Sequence, residues 1–364
     1  MNIALITYPI ETNPAGIGVY AQHIARNLTE IDDRNSYHLL HFTPSSNPLY
    51  ARNEILYRRH KWLPVMFSDS VYLRSNSSRF DIVHRFSPGG FIFKTDAKIV
   101  ITVHDLFLYK RYPFNRHTRN VLANFSIRSS LRKAHAIVAD SDFTRREILE
   151  AFEFAKNKVH VVHCAPGIVP TDGERASRAL ANAYGVDHEY ILFVSTIEPR
   201  KNLIALVKAF EIMKERHHIV EDLVIVGKEG WDSRKTLKYI GASRYRDAIR
   251  MLGFVPKADL PSFYQKARLF VYPSLMEGFG IPPLEAMACG CPTLTSNTSS
   301  LPEVVGNEEM MFDPTNVEEI VEKALRILKD KTCREENIGK GMENVKRFDW
   351  GASARQIIRI YNSL

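Results

Sequence analysis

The strongest constraint on the fold is the stretch VYPSLMEGFGIPPLEAMACG, which runs from Val271 to Gly290. An apolar run at 267–272 predicts a buried strand, and a loop that contains glycine follows it. A short helix is expected to begin at Pro282 and to end before Gly290. Because a strand that leads through a loop into a helix is the building unit of parallel sheets, the sequence predicts an α/β fold.

Two carboxylates and two glycines in this stretch indicate a ligand site. Glu277 lies in the loop and Glu285 is expected in the first turn of the helix, so both should lie near one helix N-terminus. That terminus offers unpaired N–H groups and a partial positive charge to a phosphate. Gly278 and Gly280 would let a ligand approach the backbone, and Glu285 could accept hydrogen bonds from ribose hydroxyls. The alternative is an ordinary connection in which Glu285 only complements the helix dipole.

The stretch resembles the E-x7-E signature of retaining glycosyltransferases of family 4, which have the GT-B fold. The resemblance continues through SNTSSLPEVVG at 296–306 and covers nearly the whole chain. It implies two Rossmann-like domains that face an interdomain cleft, with a C-terminal helix that returns to the first domain. The implied boundaries are an N-terminal acceptor domain at 1–168, a linker at 169–186, a nucleotide-sugar domain at 187–346 and the returning helix at 347–364.

The N-terminal segment also reads as strand, glycine turn and helix. A strand at 2–7 leads to Gly16 and Gly18, and apolar residues at helical spacing follow at 19–28. A lone G-x-G is a weak signal, because the full G-x-G-x-x-G is absent. A tight turn with positive φ would explain one of the glycines without a ligand. The resemblance places both against the donor phosphates or the acceptor.

Two histidines end predicted strands of the first domain. A strand at 98–103 runs directly into His104, and a strand at 81–84 ends in His84. The carboxyl ends of strands face the ligand crevice in doubly wound sheets, so both side chains are candidates. His104 also matches a family histidine near the donor sugar, which makes it the stronger of the two.

One motif, Asp140-Ser141-Asp142, spells the D-x-D that binds a metal in another glycosyltransferase architecture. Here it ends a predicted strand and opens a helix, so we interpret Ser141 or Asp142 as the N-cap. No other cluster has metal-ligand spacing, and we expect neither a metal nor a cofactor. The four cysteines form no C-x-x-C pair and are expected to be reduced packing residues: Cys164, Cys289, Cys291 and Cys333.

Two cations precede a helix in the second domain. A strand at 190–195 leads through TIEPRKN into a helix at 203–216, which places Arg200 and Lys201 where positive charge opposes the helix dipole. A bound diphosphate would supply the compensating charge. Lys201 matches the family lysine. The usual family arginine is replaced by Thr196, so the role of Arg200 is the less direct inference.

The resemblance assigns further residues to the donor. The loop after the strand at 250–254 would face the nucleobase through Phe254 and Val255. The loop that carries the motif would bind the donor through Gly278, Phe279, Gly280 and Ile281, and Thr196 belongs to the same set.

The excess of basic residues is confined to the first half of the chain. Residues 1–168 hold 22 lysines and arginines against 14 acidic residues, whereas residues 169–364 hold 27 of each. The stretch 51–133 alone holds 16 against 5, and Trp62 lies beside Arg58, Arg59 and Lys61 in it. Without a nucleic-acid-binding motif, an anionic membrane surface or a phosphorylated acceptor is the preferred partner. We expect a cytoplasmic protein, peripheral at the inner face of the membrane where this stretch is used, since a signal peptide and an apolar span are not apparent.

The resemblance implies transfer of a hexose from a nucleoside diphosphate to a hydroxyl of a glycan or lipid-linked acceptor, with retention of configuration. EPRKN, VGKEGW and SNTSSLPEVVG are most similar to the mannosyltransferase subgroup, so GDP-mannose is the expected donor. Lys201 and Arg200 would stabilise the diphosphate, Glu285 would bind the ribose, and Glu277 and His104 would contact the sugar. The alternatives are a catalytically silent nucleotide-sugar-binding or membrane-surface protein, and another sugar-nucleotide enzyme on the same architecture.

Overall fold

The computed structural model describes residues 1–12, 16–45, 47–51, 53–59, 62, 65–90, 95–107, 109–110, 121–171, 180 and 182–364. The chain divides into two compact units. Unit 1 comprises residues 1–164 and 348–364, and unit 2 comprises residues 165–347. The C-terminal segment 348–364 therefore belongs to unit 1, together with the N-terminal part of the chain. Residues 172–179 and 181 of the predicted linker lie outside the described residues.

Each unit contains one parallel sheet. The seven-stranded sheet of unit 1 has the order β3-β2-β1-β4-β5-β6-β7. The six-stranded sheet of unit 2 has the order β10-β9-β8-β11-β12-β13. The strands are β1 Asn2–Ile6, β2 Ser36–His41, β3 Glu54–Leu56, β4 Ile82–Arg85, β5 Lys98–Val103, β6 Ala136–Ala139, β7 Val159–Val161, β8 Tyr190–Val194, β9 Asp222–Val226, β10 Ile249–Gly253, β11 Leu269–Tyr272, β12 Thr293–Ser296 and β13 Met311–Phe312.

Helices lie in most of the described connections between strands, as is usual for parallel pairing. They are α1 Pro9–Thr12, α2 Ile17–Ile31, α3 Val65–Asn76, α4 Val121–Lys133, α5 Asp142–Ala151, α6 Leu203–His217, α7 Arg234–Ala242, α8 Leu260–Lys266, α9 Ile281–Ala288, α10 Leu301–Val305, α11 Val317–Lys329, α12 Lys331–Val345 and α13 Trp350–Asn362. The predicted α/β class with two Rossmann-like domains is confirmed.

Burial explains the strand positions. In unit 2, β8 and β11 are continuous apolar runs whose side chains are buried along their whole length. In unit 1, β4 is buried along its whole length as well, although its sequence IVHR includes two polar residues. Continuous apolar runs are typical of parallel sheets that are covered on both faces. The prediction missed β3 and β13, which are edge strands of three and two residues and carry too few side chains for a periodic signal.

Helix α13 completes the core of unit 1. The Asp349 side chain caps it by accepting a hydrogen bond from the Ala352 N–H. Near its other end, the hydroxyl of Tyr361 lies 2.6 Å from Nδ1 of His84. The other ring nitrogen of His84 lies 2.9 Å from the hydroxyl of Thr102. His84 is fully buried, so this sequence candidate has a packing role in unit 1.

Candidate functional site

The carboxylate of Glu277 is the centre of a buried network in unit 2. Its Oε1 lies 2.5 Å from Nζ of Lys201, 2.9 Å from the hydroxyl of Tyr272 and 2.6 Å from Oγ of Ser274. Its Oε2 lies 3.1 Å from Nη1 of Arg200. The structure therefore brings together three residues that the sequence had placed in one site, and it adds two hydroxyl groups that sequence reasoning missed.

Local structure fixes the two cations. Arg200 and Lys201 lie in a short 3-10 turn, Pro199–Lys201, and Asn202 follows with a φ of 54° before α6 begins. Arg200 also pairs with Glu198, at 3.0 Å. We expected a bound diphosphate to supply the charge that offsets these cations. The structure shows that Glu198 and Glu277 already supply two negative charges to them.

Electrostatics keep Glu277 ionised. Burial alone would raise its pKa, but the charges of Lys201 and Arg200, with hydrogen bonds from Lys201 and Ser274, lower the pKa to about 2. Burial and the neighbouring Arg200 lower the pKa of Lys201 from its ordinary value, against the pull of Glu277. Glu277 can therefore accept hydrogen bonds or balance charge near neutral pH, but it cannot act as a general acid there.

The loop after Glu277 is held by serines of the SNTSSLPEVVG stretch. The Glu277 N–H donates to Oγ of Ser299 at 2.9 Å, and Oγ of Ser300 lies 2.7 Å from the Phe279 carbonyl oxygen. Gly280 has a φ of 110°, and a Cβ there would lie 2.7 Å from Leu301. The backbone conformation therefore favours glycine at this position, whereas the contact is with the flexible end of the Leu301 side chain, which can move. The predicted donor residues Gly278 and Ile281 flank this fixed segment.

The placement of Glu285 in the first helical turn is wrong. Helix α9 begins at Ile281, so Glu285 lies in its second turn and does not complement the helix dipole. Its buried carboxylate instead accepts a hydrogen bond from the Tyr264 hydroxyl at 3.3 Å. Burial raises the pKa of Glu285 to about 7, although the charge of Lys257 and the Tyr264 hydroxyl act in the other direction. This carboxyl group changes its charge near neutral pH.

The remaining donor candidates in unit 2 differ in exposure. The side chain of Phe254 is 68% exposed, whereas Val255 is buried. Thr196 is half-buried, and its Cγ2 would lie 2.6 Å from a Cβ added at Gly230. Phe254 is thus available to a flat ligand group, while Val255 and Thr196 are parts of the packed framework.

In unit 1, the partly buried His104 forms an ion pair with the buried Asp140. Its Nδ1 lies 2.5 Å from Oδ2 of Asp140 and its Nε2 lies 2.9 Å from the Phe86 carbonyl oxygen. Burial alone would lower the pKa of His104, but the Asp140 charge raises it overall. A doubly protonated ring can donate to both acceptors. The ring of Tyr20 packs edge-on against it, with the centroids 4.9 Å apart.

The role of Asp140 was missed, although the sequence contained a signal for it. Strands β5 and β6 are neighbours, with Val103 opposite Ala139, so the next residue of each strand falls at the same sheet edge. The predicted N-cap is confirmed at Ser141, whose side chain accepts from the Thr144 N–H.

The glycines of the first loop have different roles. Gly16 has a φ of 50° and precedes α2, so one glycine meets the conformational requirement that the sequence suggested. Gly18 is buried within α2.

The basic stretch at 51–133 is only partly described. Lys61 lies outside the described residues, whereas Trp62 is 97% exposed. Arg85 is not a surface cation, because it is buried in an ion pair with Asp69 at 2.8 Å. Among the described helices, none combines the length and the apolar character that crossing a bilayer requires.

Comparisons with known proteins follow the division into two units. A family model described as glycosyl transferases group 1 matches residues 181–344, and one described as glycosyltransferase family 4 matches residues 14–165. O-antigen chain mannosyltransferase B of Escherichia coli is 29% identical, with all of both chains covered. Serotype-specific mannosyltransferase WbdA of Escherichia coli is 32% identical over 73% of this chain, and this chain spans 34% of that protein.

Solved structures are similar over the full length. HepE of Anabaena, in complex with UDP and glucose, has a TM-score of 0.78 at 17% identity, with 100% of both chains covered. Sucrose-phosphate synthase of Thermosynechococcus elongatus has a TM-score of 0.77 at 19% identity, with 100% of this chain and 98% of that chain covered. At these identities the likeness shows the fold.

Proposed function

The chain belongs to the family 4 glycosyltransferases of the GT-B fold, and on this premise we propose that it transfers mannose from GDP-mannose to a hydroxyl of a glycan or lipid-linked acceptor. We further propose that transfer retains the anomeric configuration and requires no metal. Unit 2 would bind the nucleotide-sugar and unit 1 the acceptor.

The Glu277 network carries this proposal. Lys201 and Arg200, which follow β8, are held beside the ionised carboxylate of Glu277, which follows the neighbouring parallel strand β11. An ammonium carries three protons, and among the described residues Lys201 has two side-chain acceptors, Glu277 and Tyr272. One donor therefore remains for a phosphate oxygen of a donor substrate.

The reaction asks the protein to stabilise negative charge on a departing diphosphate. Fixed cations and N–H groups in a water-poor site do this without reorganising during the reaction. We assign Lys201 and Arg200 to that charge, together with the N–H groups of the loop at 278–280. Glu277 would accept hydrogen bonds from the sugar through Oε2, since its Oε1 already has three donors.

For His104, the contacts within unit 1 refine the proposal. Both ring nitrogens already have acceptors, so a neutral ring nitrogen is not available for a sugar hydroxyl. We propose that His104 acts through the positive charge that Asp140 maintains on it. Glu285 would bind the ribose through its carboxylate, with Phe254 and Val255 beside the nucleobase.

Two observations support the choice of mannose. The first two relatives described above are named as mannosyltransferases, at 29% and 32% identity. The EPRKN, VGKEGW and SNTSSLPEVVG segments are also most similar to that subgroup. The first of these segments contains both cations of the site.

A thermal-shift screen of nucleotide-sugars tests the donor. A ligand at a hundred times its Kd stabilises a protein by about 2.7 kcal/mol, so GDP-mannose should give the largest rise in Tm. A larger rise with UDP-glucose would contradict the choice of donor. Absence of both donor hydrolysis and transfer, despite tight binding, would favour the catalytically silent alternative.

An EDTA titration tests metal independence. Transfer measured with GDP-mannose and a mannose-containing acceptor should be unchanged in excess EDTA, because cationic side chains of the protein are proposed to stabilise the negative charge of the diphosphate. Loss of activity that magnesium or manganese restores would contradict this.

A further inference from the structure

The hydroxyl group of Tyr272 contacts both members of the Lys201–Glu277 ion pair. Tyr272 is the last residue of β11 and its side chain is fully buried. Its ring stacks with those of Phe270 and Phe193, with centroids 5.8 and 6.3 Å away. Because the ring is fixed by the core, the position of the hydroxyl is fixed as well.

This hydroxyl bonds both members of the pair. Nζ of Lys201 lies 2.8 Å from it, and it lies 2.9 Å from Oε1 of Glu277. An ammonium can only donate, so the hydroxyl accepts from Lys201 and its own proton goes to Glu277. Burial raises the pKa of Tyr272 well above its ordinary value, so the group keeps the proton that it donates.

We propose that Tyr272 is a positioning residue that acts through Lys201: its hydroxyl holds the ammonium so that the third N–H faces the donor diphosphate. This inference rests on the proposed function, which assigns Lys201 to that diphosphate. Without the hydroxyl, Lys201 would keep one anchor, the Glu277 carboxylate, and could rotate about it. The positioning then depends on a side chain outside the E-x7-E motif.

The alternative is a purely structural tyrosine whose hydroxyl merely needs a buried partner. Tyr190 provides a matched example in the same sheet. It is also buried, and its hydroxyl donates to the Phe263 carbonyl oxygen at 2.8 Å. A Tyr190→Phe substitution also removes a hydroxyl oxygen from this core. The hydrogen bond that it removes goes to Phe263 and not to Lys201.

The experiment is a double-mutant cycle on binding of GDP, with UDP in parallel, measured by calorimetry. The variants are Tyr272→Phe, Lys201→Met and the double variant, with Tyr190→Phe alone and with Lys201→Met as the control cycle. Phenylalanine keeps the ring that lies 5.3 Å from Nζ of Lys201, so only the hydroxyl is tested. Guanosine binding measures any effect that does not involve the phosphates.

We expect Tyr272→Phe to weaken GDP binding about tenfold and guanosine binding by less than about twofold, since only the former involves Lys201. In the Lys201→Met background the same change should have little further effect, because residues that act as a unit are not additive. Tyr190→Phe should lower the Tm without a selective loss of GDP affinity.

Additive effects in the Tyr272 cycle would overturn this inference while leaving the glycosyl transfer proposal intact. Equal losses of GDP and guanosine affinity would overturn it as well, because they would show a general packing defect. Failure of the unaltered protein to bind either nucleoside diphosphate would overturn the proposed function, and this inference with it.

Discussion

The two units place an acid and a cation at comparable positions but leave them in different states. In unit 1, His104 and Asp140 follow the neighbouring parallel strands β5 and β6. In unit 2, Lys201 lies in the turn after β8 and Glu277 in the loop after its neighbour β11. The carboxyl ends of adjacent parallel strands lie at one sheet edge, so both pairs follow from topology.

The two pairs differ in whether the cation has a hydrogen-bond donor left for a ligand. The two ring nitrogens of His104 both have acceptors, Asp140 and the Phe86 carbonyl, so neither ring N–H is left for a ligand. The Lys201 ammonium has three protons and, among the described residues, two side-chain acceptors. A buried ion pair is therefore not by itself a ligand site. A ligand can bind directly where the protein leaves a fixed donor unsatisfied.

The largest expected effect is on catalysis and follows from removing the Lys201–Glu277 ion pair. Lys201→Met should lower kcat with GDP-mannose about a thousandfold, the scale for loss of one preorganised donor to transition-state charge. Lys208→Met, on the exposed face of α6, is the control and should leave kcat unchanged. An unchanged kcat in the Lys201→Met variant would show that the Lys201–Glu277 pair has no catalytic role.

The His104–Asp140 pair should contribute mainly to the stability of the folded protein. Asp140→Asn should lower the free energy of unfolding by about 3 kcal/mol, because it leaves a partly buried imidazolium without its counter-charge. The pKa of His104 is raised in the folded state. Its stabilisation is therefore fully present below about pH 6.5 and is lost as pH rises through the folded pKa.

Chemical denaturation at pH 5.5 and pH 9 measures this dependence. The difference in the free energy of unfolding between the unaltered protein and Asp140→Asn should be larger at pH 5.5 than at pH 9. Asp142→Asn removes the same charge two positions away, from an exposed pair with Arg145, and should have little effect at either pH. A loss in Asp140→Asn that does not depend on pH would show that His104 is neutral in the folded protein.

The third prediction concerns the buried carboxyl group of Glu285 in unit 2. Glu285 has a pKa of about 7, and only its ionised form accepts freely from ribose hydroxyls. Guanosine should therefore bind about tenfold more weakly at pH 6 than at pH 8. Glu285→Gln should bind it more weakly than the unaltered protein at pH 8 and with no such pH dependence. A flat profile in the unaltered protein would remove Glu285 from the ribose site.

The smallest expected effect concerns surface charge, in which the two units also differ. Lipid headgroups attract basic residues by about 1 kcal/mol each near an anionic surface, so vesicles with phosphatidylserine should retain the protein at low salt. Trp62→Ala should reduce retention several-fold, whereas Val220→Ala, which is 76% exposed in unit 2, should not. Equal retention on neutral vesicles, or retention that salt does not change, would return the basic stretch to an ordinary surface.

The sequence by itself determined the class of the fold and most members of the site. Apolar runs located the buried strands, because a parallel sheet covered on both faces requires them. Glu277, Arg200 and Lys201 could be grouped in advance because each lies just after a strand or before a helix. His104 was found by the same argument.

Only the tertiary structure decided the partners. Lys201 meets Glu277 because β8 lies beside β11, and Asp140 joins His104 because β6 lies beside β5. Tyr272 and Ser274 reach Glu277 locally, through the turn of the chain after β11. Strand order is set by long-range packing and leaves no periodic trace in the chain. The charge state of Glu285 was undetermined for the same reason: burial decides it, and the one-residue-earlier start of α9 moved this residue into the second turn.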